Sequence, residues 1–196
     1  MNYLAHAYLS FGHPGLLVGN MISDFVKGRK RFDYSEEIQQ GINLHRQIDA
    51  FTDVHAATKE ARAFLKPAVG LYSGAFVDVV YDHFLANDSA EFTDLSLQEK
   101  AKDTYRVLHD FKEQLPPNFQ RMLPFMQSQN WLYNYRSIAG TESSFGGLVR
   151  RASFLESSKP AFELFQEHYQ ALRECYNAFF PFVKAFSKSQ IEELKK

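Results

Sequence analysis

The chain has 196 residues, of which 45% are hydrophobic and 23% are charged, and its formal net charge is −1. This length suits one domain with a substantial core, and the composition is ordinary for a globular protein. A net charge so close to zero argues against general binding of nucleic acid. The single cysteine, Cys175, excludes an internal disulfide and indicates a reducing compartment.

The first ten residues lack the basic segment and the long apolar stretch of a signal peptide. No run in the chain approaches the roughly 18 consecutive apolar residues that a membrane-spanning helix needs. We therefore expect a cytoplasmic protein with no membrane partner.

Helical periodicity prevails along the chain and strand-like alternation is scarce, which predicts one all-α domain, a helical bundle over residues 1–196. Caps, turns and prolines set the expected helix boundaries, with Pro67 ending one helix and Pro181 kinking or interrupting another. In chain order, we predict helices at residues 2–10, 16–26, from Ser35 past Asp49, 53–66, 70–86, 96–114 (opened by a capping box at Ser96), one or two within 118–138, a short one near Gly146, and 158–180.

The stretch from Ala75 to Leu85, AFVDVVYDHFL, is the most informative part of the chain. Asp78 and Asp82 are four residues apart, so both carboxylates project from one face of the predicted helix. The residues around them are apolar, and burying an unpaired carboxylate is costly. Such groups normally have a cationic side chain or a metal ion as partner.

His45 and Asp49 repeat the same spacing on an earlier predicted helix. Together with nearby histidines and aspartates they form a set of imidazole and carboxylate groups that predicts a divalent metal site in a helical bundle. Ligands of this mixed type suit Mn²⁺, Fe²⁺ or Zn²⁺. The full set is His6, Asp24, His45, Asp49, Asp78, Asp82 and His83.

Each member of this set also has a simpler alternative role. His45 and Asp49 could form a helix-surface ion pair worth roughly 0.3–0.5 kcal/mol. The two carboxylates of the apolar stretch could pair with an arginine or lysine of another helix. His6 could be a hydrogen-bonded core residue, and Asp24 could simply face water.

Basic residues accompany the same segments and could bind phosphate or an acidic protein, although a solvated loop is the alternative for such a run. They are Lys27, Arg29, Lys30 and Arg31 after Asp24, Arg46 beside His45, and the later pair Arg150 and Arg151.

Short motifs along nearly the whole chain occur in an order that resembles one known family. They are NYLAH (residues 2–6), GN (19–20), DFV (24–26), HRQID (45–49), DVVYDHFL (78–85) and, further on, WL (131–132), YR (135–136) and RR (150–151), with a looser match between about residues 86 and 130. The family that they resemble is that of the acyl carrier protein phosphodiesterases.

This resemblance implies hydrolysis of the phosphodiester that joins 4′-phosphopantetheine to a serine of holo-acyl carrier protein, with a divalent metal, preferably Mn²⁺. It also implies an HD-like fold, because the family is distantly similar to helical HD phosphohydrolases. Here the dipeptide is Asp82-His83 rather than His-Asp, so the HD ligand assignment cannot be transferred by position.

We accordingly expect three overlapping groups of site residues. The expected metal ligands are His6, Asp24, His45, Asp49, Asp78 and Asp82. The expected catalytic residues are Asp24, His45, Asp49, Asp82 and His83, of which one outside the metal sphere would protonate the seryl oxygen. The expected carrier- or phosphate-binding residues are Lys27, Arg29, Lys30, Arg46, Arg150 and Arg151.

Two other functions remain open at this level. One is an HD-like metal phosphohydrolase that acts on a nucleotide or another small phosphoester. The other is a non-catalytic helical module that binds carrier protein.

Overall fold

A computed structural model describes residues 1–194. Within that range the chain forms eleven α-helices with short 3-10 turns between them and no β-strand, which confirms the all-α prediction. The helices are α1 (Tyr3–Tyr8), α2 (Pro14–Ile22), α3 (Glu36–Val54), α4 (Ala56–Val69), α5 (Ser73–Ala86), α6 (Asp94–Asp110), α7 (Pro117–Ser128), α8 (Trp131–Asn134), α9 (Ile138–Val149), α10 (Lys159–Glu167) and α11 (Tyr169–Glu193). The HD-like arrangement and the extent of one domain over residues 1–196 stay predictions.

Two prolines that were expected to stop helices lie inside them instead. Pro67 is part of the last turn of α4, which continues to Val69 and ends at Gly70, whose φ of +54° suits glycine. Pro181 lies within α11, and the long predicted helix is divided at His168 instead. A proline removes one backbone hydrogen bond, and at Pro181 the buried neighbours Phe180 and Val183 keep the helix packed against the core.

The predicted capping box at Ser96 is displaced by one turn. Thr93 is the N-cap of α6, and its hydroxyl accepts a hydrogen bond from the Ser96 backbone N–H, while the Ser96 hydroxyl accepts one from the Thr93 backbone N–H. The reciprocal pair satisfies two backbone donors at the start of the helix. Ser35 precedes α3 as expected but makes no side-chain capping bond.

The most extensive contact between two helices is that of α2 with α3, and two glycines make it possible. A Cβ atom on Gly19 would lie 2.1 Å from the Ile38 carbonyl oxygen, and one on Gly41 would lie 2.4 Å from the Leu16 carbonyl oxygen. The two backbones therefore touch directly. This contact places the end of α2 against the middle of α3, where His45 lies.

Helix α5 is the central helix of the core. Eleven of its residues are buried, and it packs against α1, α4, α9 and α11. Its buried apolar side chains belong to one continuous cluster that runs through the described residues. The polar groups of α5 are therefore surrounded by protein, which decides their partners below.

The helical stretch Ala56–Ala86, which comprises α4, a 3-10 turn and α5, is long and apolar enough to cross a membrane by length and composition, since an 18-residue window of it has a mean hydropathy of 1.3. This average over a window differs from the run of consecutive apolar residues that the sequence was searched for. The backbone bends at Gly70 in the middle of it, and α5 lies inside the core. A buried helix of a globular core passes the same test, so this feature is weak evidence for a membrane.

The glycine contact yields a first prediction. Gly41→Ala should lower the free energy of unfolding by about 2 kcal/mol or more, because the added methyl group would overlap the α2 backbone. Urea unfolding followed by circular dichroism measures this loss. Gly146→Ala is the matched control: it adds the same methyl to a helix where the nearest atom is 3.6 Å away, so stability should hold or rise slightly. Equal stability of both variants would contradict the close contact.

Candidate metal centre

Four of the seven predicted site residues meet at one place. His6 of α1 and His45 of α3 stack with ring centroids 3.9 Å apart. One Asp49 carboxylate oxygen lies 3.3 Å from His6 Nε2, and the other lies 3.1 Å from His45 Nε2. Asp24, in the 3-10 turn after α2, lies 3.3 Å from the same His45 nitrogen. His6, His45 and Asp49 each present a ligand atom within 4.8 Å of the others, which is an arrangement that could hold a metal ion.

Backbone carbonyls orient both imidazoles. His45 Nδ1 lies 2.7 Å from the Asn20 carbonyl oxygen, and His6 Nε2 lies 3.1 Å from the Met1 carbonyl oxygen. A carbonyl only accepts, so each of these nitrogens is the donor and the other nitrogen of each ring carries a lone pair when the ring is neutral. For His45, whose Nε2 faces Asp49, this is the usual arrangement of a metal-binding histidine.

The buried nitrogen and oxygen atoms of the cluster that lack hydrogen-bond partners indicate whether a metal ion would fit. His6 Nδ1, His45 Nε2 and Asp49 Oδ1 are buried and have no partner with hydrogen-bond geometry. Unpartnered buried polar atoms are rare and costly. Two of these atoms, His45 Nε2 and Asp49 Oδ1, belong to side chains in direct contact, and a divalent metal ion would satisfy both.

The side chains of the cluster shift one another's pKa values and so determine which of them are charged. Burial and the charge of His45 lower the pKa of His6 to about 4. Burial works in the same direction on His45, but the neighbouring Asp24 and Asp49 carboxylates overcome it and raise the pKa of His45 to about 9. The same contact holds the pKa of Asp24 below its ordinary value. Of the two stacked rings, only one is thus cationic near neutral pH.

Asp78 lies at the edge of this cluster rather than inside it. Its carboxylate lies 2.8 Å from the buried α-ammonium group of Met1, which is also 3.7 Å from Asp49. The alternative that the α5 carboxylates pair with a cation is therefore realised for Asp78, although the cation is the Met1 amine rather than an arginine or lysine side chain.

Asp82, which was expected to be a ligand, lies outside the group formed by His6, His45 and Asp49 and has other partners. Its fully buried carboxylate accepts hydrogen bonds from the backbone N–H groups of Asn2 at 3.1 Å, Leu4 at 2.7 Å and Ala5 at 3.4 Å. Burial raises the pKa of Asp82 to about 7, while the Met1 ammonium and these N–H groups oppose the rise. The group anchors the start of α1, where backbone donors otherwise lack partners.

His83, which was expected to be catalytic, makes its contacts outside the cluster of His6, His45 and Asp49. Its Nδ1 lies 2.7 Å from the Tyr135 carbonyl oxygen, and its Nε2 lies 2.9 Å from the Tyr169 hydroxyl. Asp82 and His83 are adjacent in sequence, and adjacent helical residues point in different directions. His83 ties α5 to α11 and to the segment after α8, and both ring nitrogens have protein partners.

A smaller cleft opens beside the cluster, and a larger cleft adjoins the smaller one. The smaller cleft, of about 350 Å³, is lined by Met1, Asn2, Tyr3, Asp24, Asp78 and Arg151 among others. The larger cleft, of about 710 Å³, is lined by Tyr3, Met122, Trp131, Tyr135, Arg150 and Arg151 among others. Arg151 borders both.

The remaining predicted basic residues lie outside these clefts. Lys27, Arg29 and Lys30 are exposed in and before the 3-10 turn Gly28–Asp33 that follows Asp24. Arg46 is exposed and donates a hydrogen bond to the Val26 carbonyl oxygen at 3.2 Å. These groups therefore form a charged rim on the Asp24 side of the cluster.

Comparison with known proteins identifies the lineage of this chain. The profile of the acyl carrier protein phosphodiesterase family matches residues 1–183. The chain belongs to this family. Proteins named acyl carrier protein phosphodiesterase from Klebsiella pneumoniae subsp. pneumoniae and from Yersinia enterocolitica are 33% and 30% identical to it over 182 residues, which cover 92% of this chain and 94% of each relative. The protein of that name from Enterobacter sp. strain 638 is 28% identical, over 97% of this chain and 99% of its own length. No solved structure matches the chain significantly.

Two groups that contribute to the site could not be predicted from the spacing of titratable residues in the sequence. Asn20 joins the two histidines: its side-chain amide donates to the His6 carbonyl oxygen at 2.9 Å, and its own carbonyl accepts from His45. The Met1 amine fills the space between Asp49 and Asp78. The motif GN at residues 19–20 was the only indication of the first.

The different roles of two aspartates yield a second prediction. Asp82→Ala should lower the free energy of unfolding of the metal-free protein by about 3 kcal/mol or more, because it leaves buried backbone N–H groups without an acceptor. Asp24→Ala should change it by about 0.5 kcal/mol or less, because the Asp24 side chain is 77% exposed. Chemical unfolding of the two variants in the presence of a chelator measures both. Small losses for both would contradict the anchoring role of Asp82.

Proposed function

We propose that this protein is a metal-dependent phosphodiesterase that hydrolyses 4′-phosphopantetheine from the serine of holo-acyl carrier protein. Membership of the acyl carrier protein phosphodiesterase family, over most of the chain, carries the proposal. The cluster of His6, His45 and Asp49 supports it, since it could hold a divalent metal beside a cleft bordered by Arg151. Its physiological location would be the cytoplasm, in keeping with the free and buried Cys175.

His6, His45 and Asp49 would hold the metal, and the exposed Asp24, which lies 3.3 Å from His45 Nε2, would stand beside it. Imidazole and carboxylate ligands without thiolate suit Mn²⁺, Fe²⁺ or Zn²⁺, and among these we favour Mn²⁺ because the resemblance to the family implies it. When bound, the metal would lower the pKa of a water molecule and polarise a phosphoryl oxygen. The Asn20 carbonyl keeps the His45 imidazole in the orientation that metal binding requires, and the Met1 carbonyl holds the His6 ring in place.

Other groups of the chain would handle the substrate. Arg151 stands where the two clefts meet, so its guanidinium could bind the non-bridging phosphate oxygens. Asp24 is ionised near neutral pH, which suits it to accept the proton of the attacking water rather than to protonate the leaving group. Water adds to phosphorus, the bond from phosphorus to the seryl oxygen breaks, and that oxygen takes up a proton. The products are apo-carrier and 4′-phosphopantetheine.

The proposed reaction can be tested by incubating the purified protein with Mn²⁺ and holo-acyl carrier protein and then measuring the mass of the carrier protein by mass spectrometry. We expect the carrier to lose the mass of phosphopantetheine, and a chelator to prevent this. Asp49→Asn should slow turnover by roughly 100-fold or more because it removes a ligand. His83→Gln, a change at a buried histidine outside the cluster, should retain turnover.

The other results of this assay have definite meanings. Turnover of nucleotides but not of holo-carrier would replace the proposal with a phosphohydrolase of small substrates. A stable complex with the carrier that forms without metal and gives no product would replace it with a binding module.

The charged rim gives a further prediction. Acyl carrier proteins are acidic, so Arg29→Glu with Lys30→Glu should raise KM for holo-carrier and flatten the dependence of kcat/KM on salt, since both exposed charges would attract the partner. The double change Lys102→Glu with Lys188→Glu reverses the same number of exposed charges on α6 and α11 and is the matched control. Steady-state kinetics at several salt concentrations measure the effect. The rim has no part in docking if both double variants behave alike.

A further inference from the structure

The larger cleft continues from the smaller one and has no role in the chemistry described above. The two share Asn2, Tyr3 and Arg151, so a molecule lying with one end near the metal cluster can extend into the larger cleft without leaving the protein surface. Its volume of about 710 Å³ is within the range of pockets that enclose small ligands. The cleft is formed by α1, α7, α8 and α9 and the segments between them.

The walls of the larger cleft combine apolar and hydrogen-bonding surfaces. Tyr3, Met122, Trp131 and Tyr135 provide aromatic rings and a thioether. The uncharged polar residues of the lining include Gln129, Asn134, Ser143 and Ser144, which carry amide and hydroxyl groups. The only strong charges on its lining are the two arginines, Arg150 and Arg151, which are consecutive in the chain and of which Arg151 borders the smaller cleft.

Helix α9 leaves room for a ligand along this cleft. Gly146 and Gly147 both line it, and a Cβ atom built on either would meet nothing nearer than the Arg150 guanidinium at 3.6 Å. Glycine lowers the stability of a helix interior by roughly 0.5–1 kcal/mol relative to alanine. Packing against the protein does not require these two glycines, so the open backbone faces space that a ligand can occupy.

We infer that the larger cleft binds the pantetheine arm of the substrate, with the phosphodiester at the shared end beside Arg151. This inference rests on the proposed function. The arm is uncharged beyond its phosphate and carries two amides, one hydroxyl and a pair of methyl groups. Those groups match the amides, hydroxyls and aromatic walls of the cleft, and the phosphate matches the arginine end.

The sole tryptophan of the chain gives a direct binding test, because Trp131 lines the cleft and is partly exposed. Titration of the protein with pantetheine, which lacks the phosphate, should produce a saturable change in tryptophan fluorescence. Adenosine at equal concentrations should produce none. A response to adenosine alone, or to neither compound, would overturn the assignment.

Filling the cleft provides a second and independent test. Ser144→Phe should raise KM for holo-carrier by about tenfold or more, because the new ring would occupy the space of the arm. The effect on KM should be far smaller for methyl 4-nitrophenyl phosphate, in which a methyl group stands in place of the arm. Ser189→Phe is the matched control, since both serine hydroxyls donate to a backbone carbonyl of their own helix, and Ser189 is exposed on α11.

A third variant guards against misfolding of the filled cleft. Trp131→Ala removes a wall and should also raise KM for holo-carrier, whereas Tyr133→Ala should not, because Tyr133 lies on the same short helix but pairs with Asp94 outside the cleft. Thermal unfolding of each variant shows whether it is folded.

The results separate the cleft from the reaction. If the wild-type protein cleaves holo-carrier and none of the cleft variants changes KM, the cleft assignment is wrong and the proposed function stands. If the wild-type protein does not cleave holo-carrier, the proposed function is wrong and the cleft assignment falls with it.

Discussion

The contact between one buried carboxylate and the backbone of the first helix holds the site together. Asp82 lies in the central helix α5 and is not exposed to solvent. Its carboxylate oxygens accept hydrogen bonds from the backbone N–H groups at the start of α1. A helix of six residues has little stability of its own. Together with the burial of Leu4 and Ala5, this anchor fixes α1 against α5 and so contributes to placing His6 beside His45 of α3.

A second polar network then aligns the two histidines. Asn20 stands at the end of α2, which is pressed against α3 by the contact of Gly19 and Gly41. From there its side-chain amide donates a hydrogen bond to the α1 backbone, and its carbonyl oxygen accepts one from His45. Each imidazole is thus held by a backbone group of a different element, and ligands held in this way need little rearrangement to bind a metal ion.

The distribution of charge follows from these positions. Carboxylates converge on the interior side, where one cationic imidazole and one ammonium group offset them. Arginines and lysines lie outside, along the clefts and the rim. A chain with a formal net charge of −1 therefore offers both a cation site and an anion-attracting surface within a short distance. An enzyme that cleaves a phosphodiester on an acidic protein would use both.

The sequence alone determined the all-α class, the approximate span of α5, and the spacing that places His45 and Asp49 on one face of α3, because helical periodicity and i,i+4 geometry are local properties. Motif order also sufficed to indicate the family. Tertiary structure decided the different roles of the aspartates. Asp78 and Asp82 share a helical face, but Asp78 contacts the Met1 amine, whereas Asp82 accepts hydrogen bonds from the backbone N–H groups of α1. The role of His83 was likewise decided by the segments that pack on the other side of α5. Local spacing shows which groups stand together on one helix, whereas burial and long-range packing decide which partners satisfy them.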